Sequence, residues 1–337
     1  MKFRVEKNNI QWGILATGKI AHKFADDFKQ VTNGKIIAVA SRSQENANNF
    51  AAQYNIERAY SSYEKLVSDP DIDIIYVATP HNLHYANTLL CLQHNKAVLC
   101  EKPFTVNARQ LEHLIAVAKK HKVFMMEALW TYFIPAVLKA VEWVNAGKIG
   151  TINLLQADFG RRAPYNPDSR LFNLNYAGGA LLDIGIYGIA FSELMINDTI
   201  TQVSAQAHLG KTGVDEYDAI TLKYRNGAIT QISTSLMNDL RNEGYIFGSK
   251  GQIYLPNYWH AGKVILTTSE GEEIFAEPRA NHGYNYMASA VNQMLLDGKK
   301  ESEVATLARS LKNMRIMDEI RNIIGLKYPM DDIKKKL

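Results

Sequence analysis

Cysteine is nearly absent from this chain, and its scarcity narrows the setting. Two thiols, Cys91 and Cys100, cannot build a disulfide framework, so the sequence predicts a reducing, cytoplasmic location. Both lie in apolar segments and read as small core residues. An excess of one charge is also missing. Lys and Arg number 38 against 34 Asp and Glu, and the one dense basic run, Lys334–Lys336, follows Asp331 and Asp332 at the chain end. No basic stripe of the kind a nucleic acid requires is present, so no nucleic-acid partner is expected. Met1–Asn9 lacks the apolar core of an export signal. No run approaches the ~18 uncharged apolar residues of a membrane span, so no membrane partner is expected either. His81 and His84 are three apart, but no third ligand at metal-site spacing is evident and no H-E-x-x-H occurs. The metal expectation is therefore none.

What is present is a globular composition. The chain has 337 residues, 47% hydrophobic and 21% charged, enough for two domains. Through about residue 125, apolar runs alternate with helical patterns, as in a parallel sheet with crossover helices. Strands are expected at 10–15, 35–40, 73–78, 97–100 and 123–126, with helices at 20–28, 44–54, 84–94 and up to His121 between them. After Pro135 the pattern changes. One helix runs to about Ala146, then strand follows strand at 152–159, 201–208, 217–224, 228–235, 243–248, 263–268 and 272–276. Helices at 284–296 and 302–324 close the chain. The expected fold is α/β: an N-terminal Rossmann domain with a doubly wound parallel sheet (1–127), then a C-terminal α+β domain with a large, mostly antiparallel open sheet (128–337). The closing helices have the option of packing back on the first domain.

In doubly wound sheets, ligands sit beyond the carboxyl ends of the strands, and three strand ends here carry polar motifs. The first, Ala16-Thr17-Gly18-Lys19-Ile20-Ala21, is a G-x-G-x-x-G/A fingerprint whose first Gly is Ala. Small residues let the backbone approach a pyrophosphate, and the helix N-terminus offers unpaired N–H groups. Ala16 calls for a negative φ in that turn. The alternative is a plain structural turn. The second strand ends Ser41-Arg42-Ser43 with no acid to bind a ribose diol. Arg42 can hold a 2′-phosphate instead, which favours NADP over NAD, with NAD still possible. A solvated surface Arg is the bland reading. The third strand leads into Thr79-Pro80-His81-Asn82-Leu83-His84, a polar turn in which Thr79, Pro80, Asn82 and His84 are expected to face a cofactor. The next strand ends Glu101-Lys102-Pro103. Lys102 can stabilise a developing alkoxide and Glu101 can meet the nicotinamide side, unless the two form a surface ion pair.

In the second half, Gly178-Gly179-Ala180-Leu181-Leu182-Asp183 enters a helix in which Asp183 and Tyr187 are four apart and share a face. A lysine ammonium near Tyr187 would lower its pKa and ready the phenol for proton transfer. Lys102, Tyr187 and Asp183 are thus the candidate catalytic residues. The rival reading is a packed Tyr and an exposed Asp. Trp130, Phe159, Arg161, Tyr165 and Arg170 are candidates for a substrate wall, although each one singly could equally serve packing or a surface ion pair.

Taken together, the Ala16–Ala21 turn, Thr79–His84, Glu101–Pro103 and Asp183–Tyr187 resemble the Gfo/Idh/MocA (glucose-fructose oxidoreductase / inositol dehydrogenase) family. Met126–Thr131, Arg162–Pro167 and Gly178–Asp183 bring it nearest to the branch of dimeric dihydrodiol dehydrogenase and NADP-dependent D-xylose 1-dehydrogenase. The resemblance implies an NADP-dependent dehydrogenase acting on a carbinol carbon of a cyclic sugar, polyol or diol, with Lys102 as catalytic lysine. Many members carry His where this chain has Tyr187, and the dihydrodiol dehydrogenase branch carries Tyr. It also implies a homodimer or higher homo-oligomer through the C-terminal sheet. The alternatives within the fold are a non-catalytic cofactor-binding regulator and a biliverdin- or imine-type reductase.

Overall fold

The computed structural model describes residues 9–278 and 281–332. The basic run 334–336 and most of Met1–Asn9 lie outside them. Two compact units emerge. Among the described residues, the first comprises 9–105, Arg109–Trp130 and Asn281–Ser310; the second comprises Val106–Ala108, 131–278 and 311–332.

In the first unit, strands and helices alternate: Ile10–Leu15 (β1), Lys19–Phe28 (α1), Gly34–Ala40 (β2), Gln44–Tyr54 (α2), Arg58–Tyr60 (β3), Tyr63–Val67 (α3), Ile74–Val77 (β4), His81–Gln93 (α4), Ala97–Glu101 (β5), Ala108–His121 (α5) and Met125–Ala128 (β6). The six strands run parallel in the order β3-β2-β1-β4-β5-β6. β4, β5 and β6 are buried along their whole length, as strands covered on both faces must be. The order reverses between β1 and β4, and at such a switch point the following loops part and leave a crevice. The pair β3–α3 was not expected, being too short to show a period. α4 begins at His81 rather than His84, because Pro80 sits at its N-cap with φ −61°.

The second unit contains Pro135–Asn145 (α6), Ile152–Gly160 (β7), a π-helical turn at Leu181–Gly185 running into Ile186–Met195 (α7), and the strands Ile200–Leu209 (β8), Asp215–Tyr224 (β9), Ile229–Ser235 (β10), Glu243–Gly248 (β11), Gly251–Pro256 (β12), Lys263–Thr268 (β13) and Gly271–Ala276 (β14). Their order is β14-β13-β12-β11-β7-β10-β9-β8. Only β7–β10 is parallel; the remaining pairings are antiparallel. β12, between its Gly and Pro boundaries, was not expected. α7 packs on β7 and β10, and every residue in it but Leu194 is buried. The stretch Leu174–Met195 is long and apolar enough to cross a membrane, yet 94% of its most apolar 18 residues are buried, as in a core helix. The other sheet face is uncovered within the unit, and alternation along β9 and β10 is clean.

Two helices follow, Tyr284–Leu296 (α8) and Leu307–Ile324 (α9). α8 belongs to the first unit. There Asn292 Oδ1 accepts the buried Trp12 Nε1–H (2.7 Å), and Asp27 accepts the Tyr284 N–H (2.8 Å). α9 starts at Leu307, not Ser302. The Ser302 hydroxyl instead closes a turn by accepting the Val304 and Ala305 N–H groups, and Thr306 Oγ1 then accepts from Arg309.

Candidate functional site

The first unit gathers its polar strand ends around the switch point. Ala16 follows β1 with φ +86°, which corrects the expected negative φ. The turn keeps the backbone shape of the glycine it replaces, held by the Ala16 N–H on the Ala40 carbonyl (2.9 Å), and accepts strain of roughly 1–2 kcal/mol for its Cβ. Gly18 caps α1 with no side-chain bond, and no acid stands in the first turn. A Cβ added at Gly18 would meet nothing within 4 Å. Thr17 Oγ1 reaches Ser41 Oγ (3.4 Å) at the end of β2, where Arg42 is exposed. Ser43 turns its hydroxyl to the Asn46 N–H and starts α2.

Across the switch point, Thr79 Oγ1 accepts from Asn87, and Asn82 Oδ1 is buried with no donor among the described residues. His84 has no exposed surface, and its two ring nitrogens meet the Thr79 and Pro103 carbonyls. Its contribution therefore runs through backbone. Glu101, at the end of β5, accepts a hydrogen bond from the buried Tyr76 phenol, and burial with that carboxylate alongside holds the phenol well above the usual tyrosine range. Lys102 is half-buried just beyond, in a cis peptide with Pro103. Glu127, buried in β6, was not anticipated. Its oxygens accept the Phe104 N–H (2.9 Å) and the Ser310 hydroxyl (2.7 Å), and burial pushes its carboxyl up to about 7 against the pull of Lys102. Trp130 stacks on Tyr284, ring centroids 5.0 Å apart.

The second unit carries the remaining candidates. Asp183 lies in the π-helical turn and Tyr187 in the first turn of α7; both are buried. Asp183 Oδ1 accepts from Arg170 Nη1 at 3.0 Å. Phe159 and Trp259 stack nearly face to face at 4.5 Å, and the Tyr187 ring lies 5.6 Å from the first and 6.1 Å from the second. Trp259 was not foreseen. It sits in a short 3₁₀ turn, Tyr258–His260, and Thr131 fixes its carbonyl (2.7 Å). Arg161 and Tyr165 are exposed, and Tyr165 rests near Phe172 (5.0 Å).

Beneath the turn that carries Asp183 lies a buried acid pair. Asp215 Oδ2 accepts the Leu181 N–H (2.5 Å), and Asp218 Oδ2 accepts the Thr234 hydroxyl (2.7 Å). Burial pushes both carboxyls up, and the charge of Asp218 adds to the rise at Asp215. Two such neighbours cannot both ionise away from water, so they share a proton. On its other side the turn is held by Tyr328, whose phenol donates to the Gly178 carbonyl (2.6 Å).

Residues 10–129 match the oxidoreductase family with an NAD-binding Rossmann fold, and residues 137–254 match the GFO/IDH/MocA C-terminal domain. The chain belongs to the Gfo/Idh/MocA family. It is an NAD(P)-dependent oxidoreductase. Trans-1,2-dihydrobenzene-1,2-diol dehydrogenase of Xenopus laevis is 38% identical over 331 residues, covering 95% of this chain and 99% of the relative. The Mus musculus enzyme of the same name is 35% identical, with coverage of 96% and 99%. Among solved structures, a 3-ketoreductase from Actinomadura kijaniata, in complex with NADP and TDP-benzene, superposes with a TM-score of 0.84 at 25% identity, over 94% of this chain and 98% of that one. An aldose-aldose oxidoreductase from Caulobacter crescentus, at 21% identity and a TM-score of 0.87 with the same coverage, shares the fold.

The residues present fit the dinucleotide of a Gfo/Idh/MocA enzyme. The uncapped α1 N-terminus, the open space above Gly18 and the unsatisfied Asn82 oxygen are features a bound phosphate chain and its ribose would complete. Among the described residues, no group of three His, Cys, Asp or Glu side chains could hold a metal ion.

Proposed function

We propose that this enzyme oxidises a carbinol carbon of a cyclic sugar or diol, or runs the reverse reduction, as an aldose 1-dehydrogenase or trans-dihydrodiol dehydrogenase does. The carrying observation is the aromatic wall of Phe159 and Trp259 beside Tyr187, with the Asp183–Arg170 pair on the same short segment. Aromatic faces suit the apolar side of a ring, and the charged pair suits its hydroxyls. The names of the curated relatives point the same way.

In this reading, residues 1–127 hold NADP. Ala16, Thr17, Gly18, Lys19 and Ile20 face the pyrophosphate, Ser41 and Arg42 the 2′-phosphate, and Thr79, Pro80, Asn82 and Glu101 line the rest. His84 acts through the carbonyls it holds. The nicotinamide, when bound, supplies the hydride chemistry. Tyr187 exchanges the proton of the substrate hydroxyl, the Lys102 ammonium favours the developing alkoxide, and Asp183 orients substrate hydroxyls. Trp130, Phe159, Arg161, Tyr165 and Arg170, with Trp259, shape the wall. Residues 128–337 carry the substrate and the self-association surface. Leu154, Tyr245, Phe247, Tyr254, Ile265 and Ile274 share the uncovered sheet face by register, with Tyr245 stacked on Tyr254 at 4.5 Å, and such a face seeks a second copy. Buried, unpaired Cys91 and Cys100 suit a cytoplasmic setting.

The decisive experiment is a screen of aldopentoses, aldohexoses and aromatic dihydrodiols by NADPH absorbance. Lys102→Met is expected to abolish turnover and leave NADPH affinity nearly intact. Silence toward every substrate class would refute the reading and favour a cofactor-binding regulator or a reductase of another class.

A further inference from the structure

The loop that carries Lys102 hangs from a buried histidine whose charge can be read from geometry. His84 Nδ1 lies 2.7 Å from the Pro103 carbonyl oxygen and Nε2 lies 2.8 Å from the Thr79 carbonyl oxygen. Carbonyl oxygens only accept. A neutral imidazole has one N–H and one bare lone pair, and a lone pair aimed at a carbonyl oxygen at that distance is repelled. Two such contacts need two N–H donors.

We propose that His84 is held as an imidazolium and is a positioning residue, tying the Lys102–Phe104 loop to the Thr79–Pro80 turn so that two neighbouring strand ends keep one geometry. The functional half of this proposal rests on the role given to Lys102 above; the charge state stands without it. Glu127 anchors the same loop from β6, on the Phe104 N–H, and Ser310 fixes that carboxyl in turn. Other ionisable groups described at this edge are His81 on the same helix, its ring 5.7 Å away, Glu101 at the end of β5 with the Tyr76 phenol upon it, the Cys100 thiol, which donates to the Phe104 carbonyl (3.8 Å), and Lys102 itself. The two carbonyl acceptors offset part of the cost of burying the His84 charge. Losing the His84 proton turns one attractive carbonyl contact repulsive and frees the loop.

The direct test is ¹⁵N NMR of the histidine rings in the full-length protein at about pH 8, well above the ordinary histidine pKa of ~6.5. One histidine with both ring nitrogens protonated is expected, and its signal should vanish in His84→Gln. A bare nitrogen on His84 at that pH overturns the charge state. For positioning, folded His84→Gln should lose roughly ten- to a hundredfold in kcat, with NADPH affinity little changed and the alkaline limb of the kcat–pH profile displaced. Unchanged kcat and profile overturn the positioning role. Should His84→Gln fail to fold, Glu127→Leu, which removes the acceptor of the Phe104 N–H, reads the same loop: a fall in kcat supports the clamp, and wild-type kcat refutes it. Full turnover by Lys102→Met would instead sink the functional reading, and the NMR result would still decide the state of His84.

Discussion

At the carboxyl edge of the parallel sheet the chain works with backbone. The turn at Ala16–Gly18, the Thr79 carbonyl and the Lys102–Phe104 loop are peptide groups, the first held by the Ala40 carbonyl and the other two by buried side chains behind them. In the second unit it works with side chains. Phe159, Tyr187 and Trp259 are drawn from separated stretches and meet because α7 packs on β7 and on the 3₁₀ turn that carries Trp259. A surface that grips phosphates needs N–H groups and room; one that selects a small ring needs shape and a few placed polar atoms. Glycine accordingly means opposite things in the two units. A Cβ at Gly18 would meet nothing within 4 Å, whereas at Gly179 protein already fills the space.

The same substitution in both places should separate these roles. Gly179 has φ +120°, and a Cβ there would sit 1.9 Å from Asp215 Oδ1. Gly179→Ala is expected to cost roughly 3 kcal/mol or more in chemical denaturation. Gly18→Ala should leave stability within about 0.5 kcal/mol while weakening NADPH binding roughly tenfold or more by fluorescence titration. Equal losses of stability would break the contrast.

Next in size is a pH effect confined to the second unit. Asp215 and Asp218 have folded pKa values above their unfolded ones, so the native state binds more protons than the unfolded chain does. Their contribution is complete below about pH 4. It is lost as pH rises through about 6 and beyond. Asp218→Asn keeps a donor toward Asp215 and is expected to flatten the decline of the thermal midpoint between about pH 5 and 8. A slope as steep as the wild type would show that the acid pair is not its source.

Smallest is Ala16→Gly, which relieves the positive φ. It should add about 1 kcal/mol, a rise of ~2–4 °C in Tm, with NADPH affinity unchanged. A drop in Tm would mean that the alanine methyl packs favourably enough to outweigh its strain.

The first unit was the more legible in sequence, for the same reason that it works with backbone. Its fingerprint, the basic Arg42 and the Glu101–Pro103 run are contiguous, and each follows an apolar strand. The large sheet could be read from alternation, which failed only at β12, where Gly251 and Pro256 look like loop. The support of the site was mostly invisible. Glu127 binds Phe104 across 23 positions and Ser310 across 183, and Tyr328 meets Gly178 across 150. No local period encodes a partner that far away. Trp259 left only a faint signal, an aromatic run, Tyr258-Trp259-His260, where a hairpin would want small polar residues. Ala16 takes a positive φ against the preference of its residue type because the strand–turn–helix connection imposes that shape.

The placement of α8 also bears on the life of the molecule on the ribosome. The first unit takes its last helix from beyond the large sheet, so Trp12 and Asp27 wait for Asn292 and Tyr284, and the Gly178 turn waits for Tyr328. A nascent chain halted after the large sheet has every motif a reader would notice, but neither of its halves is finished. Both halves are finished only by the stretch from Tyr284 to Tyr328, which makes that stretch as sensitive to truncation as the first strands.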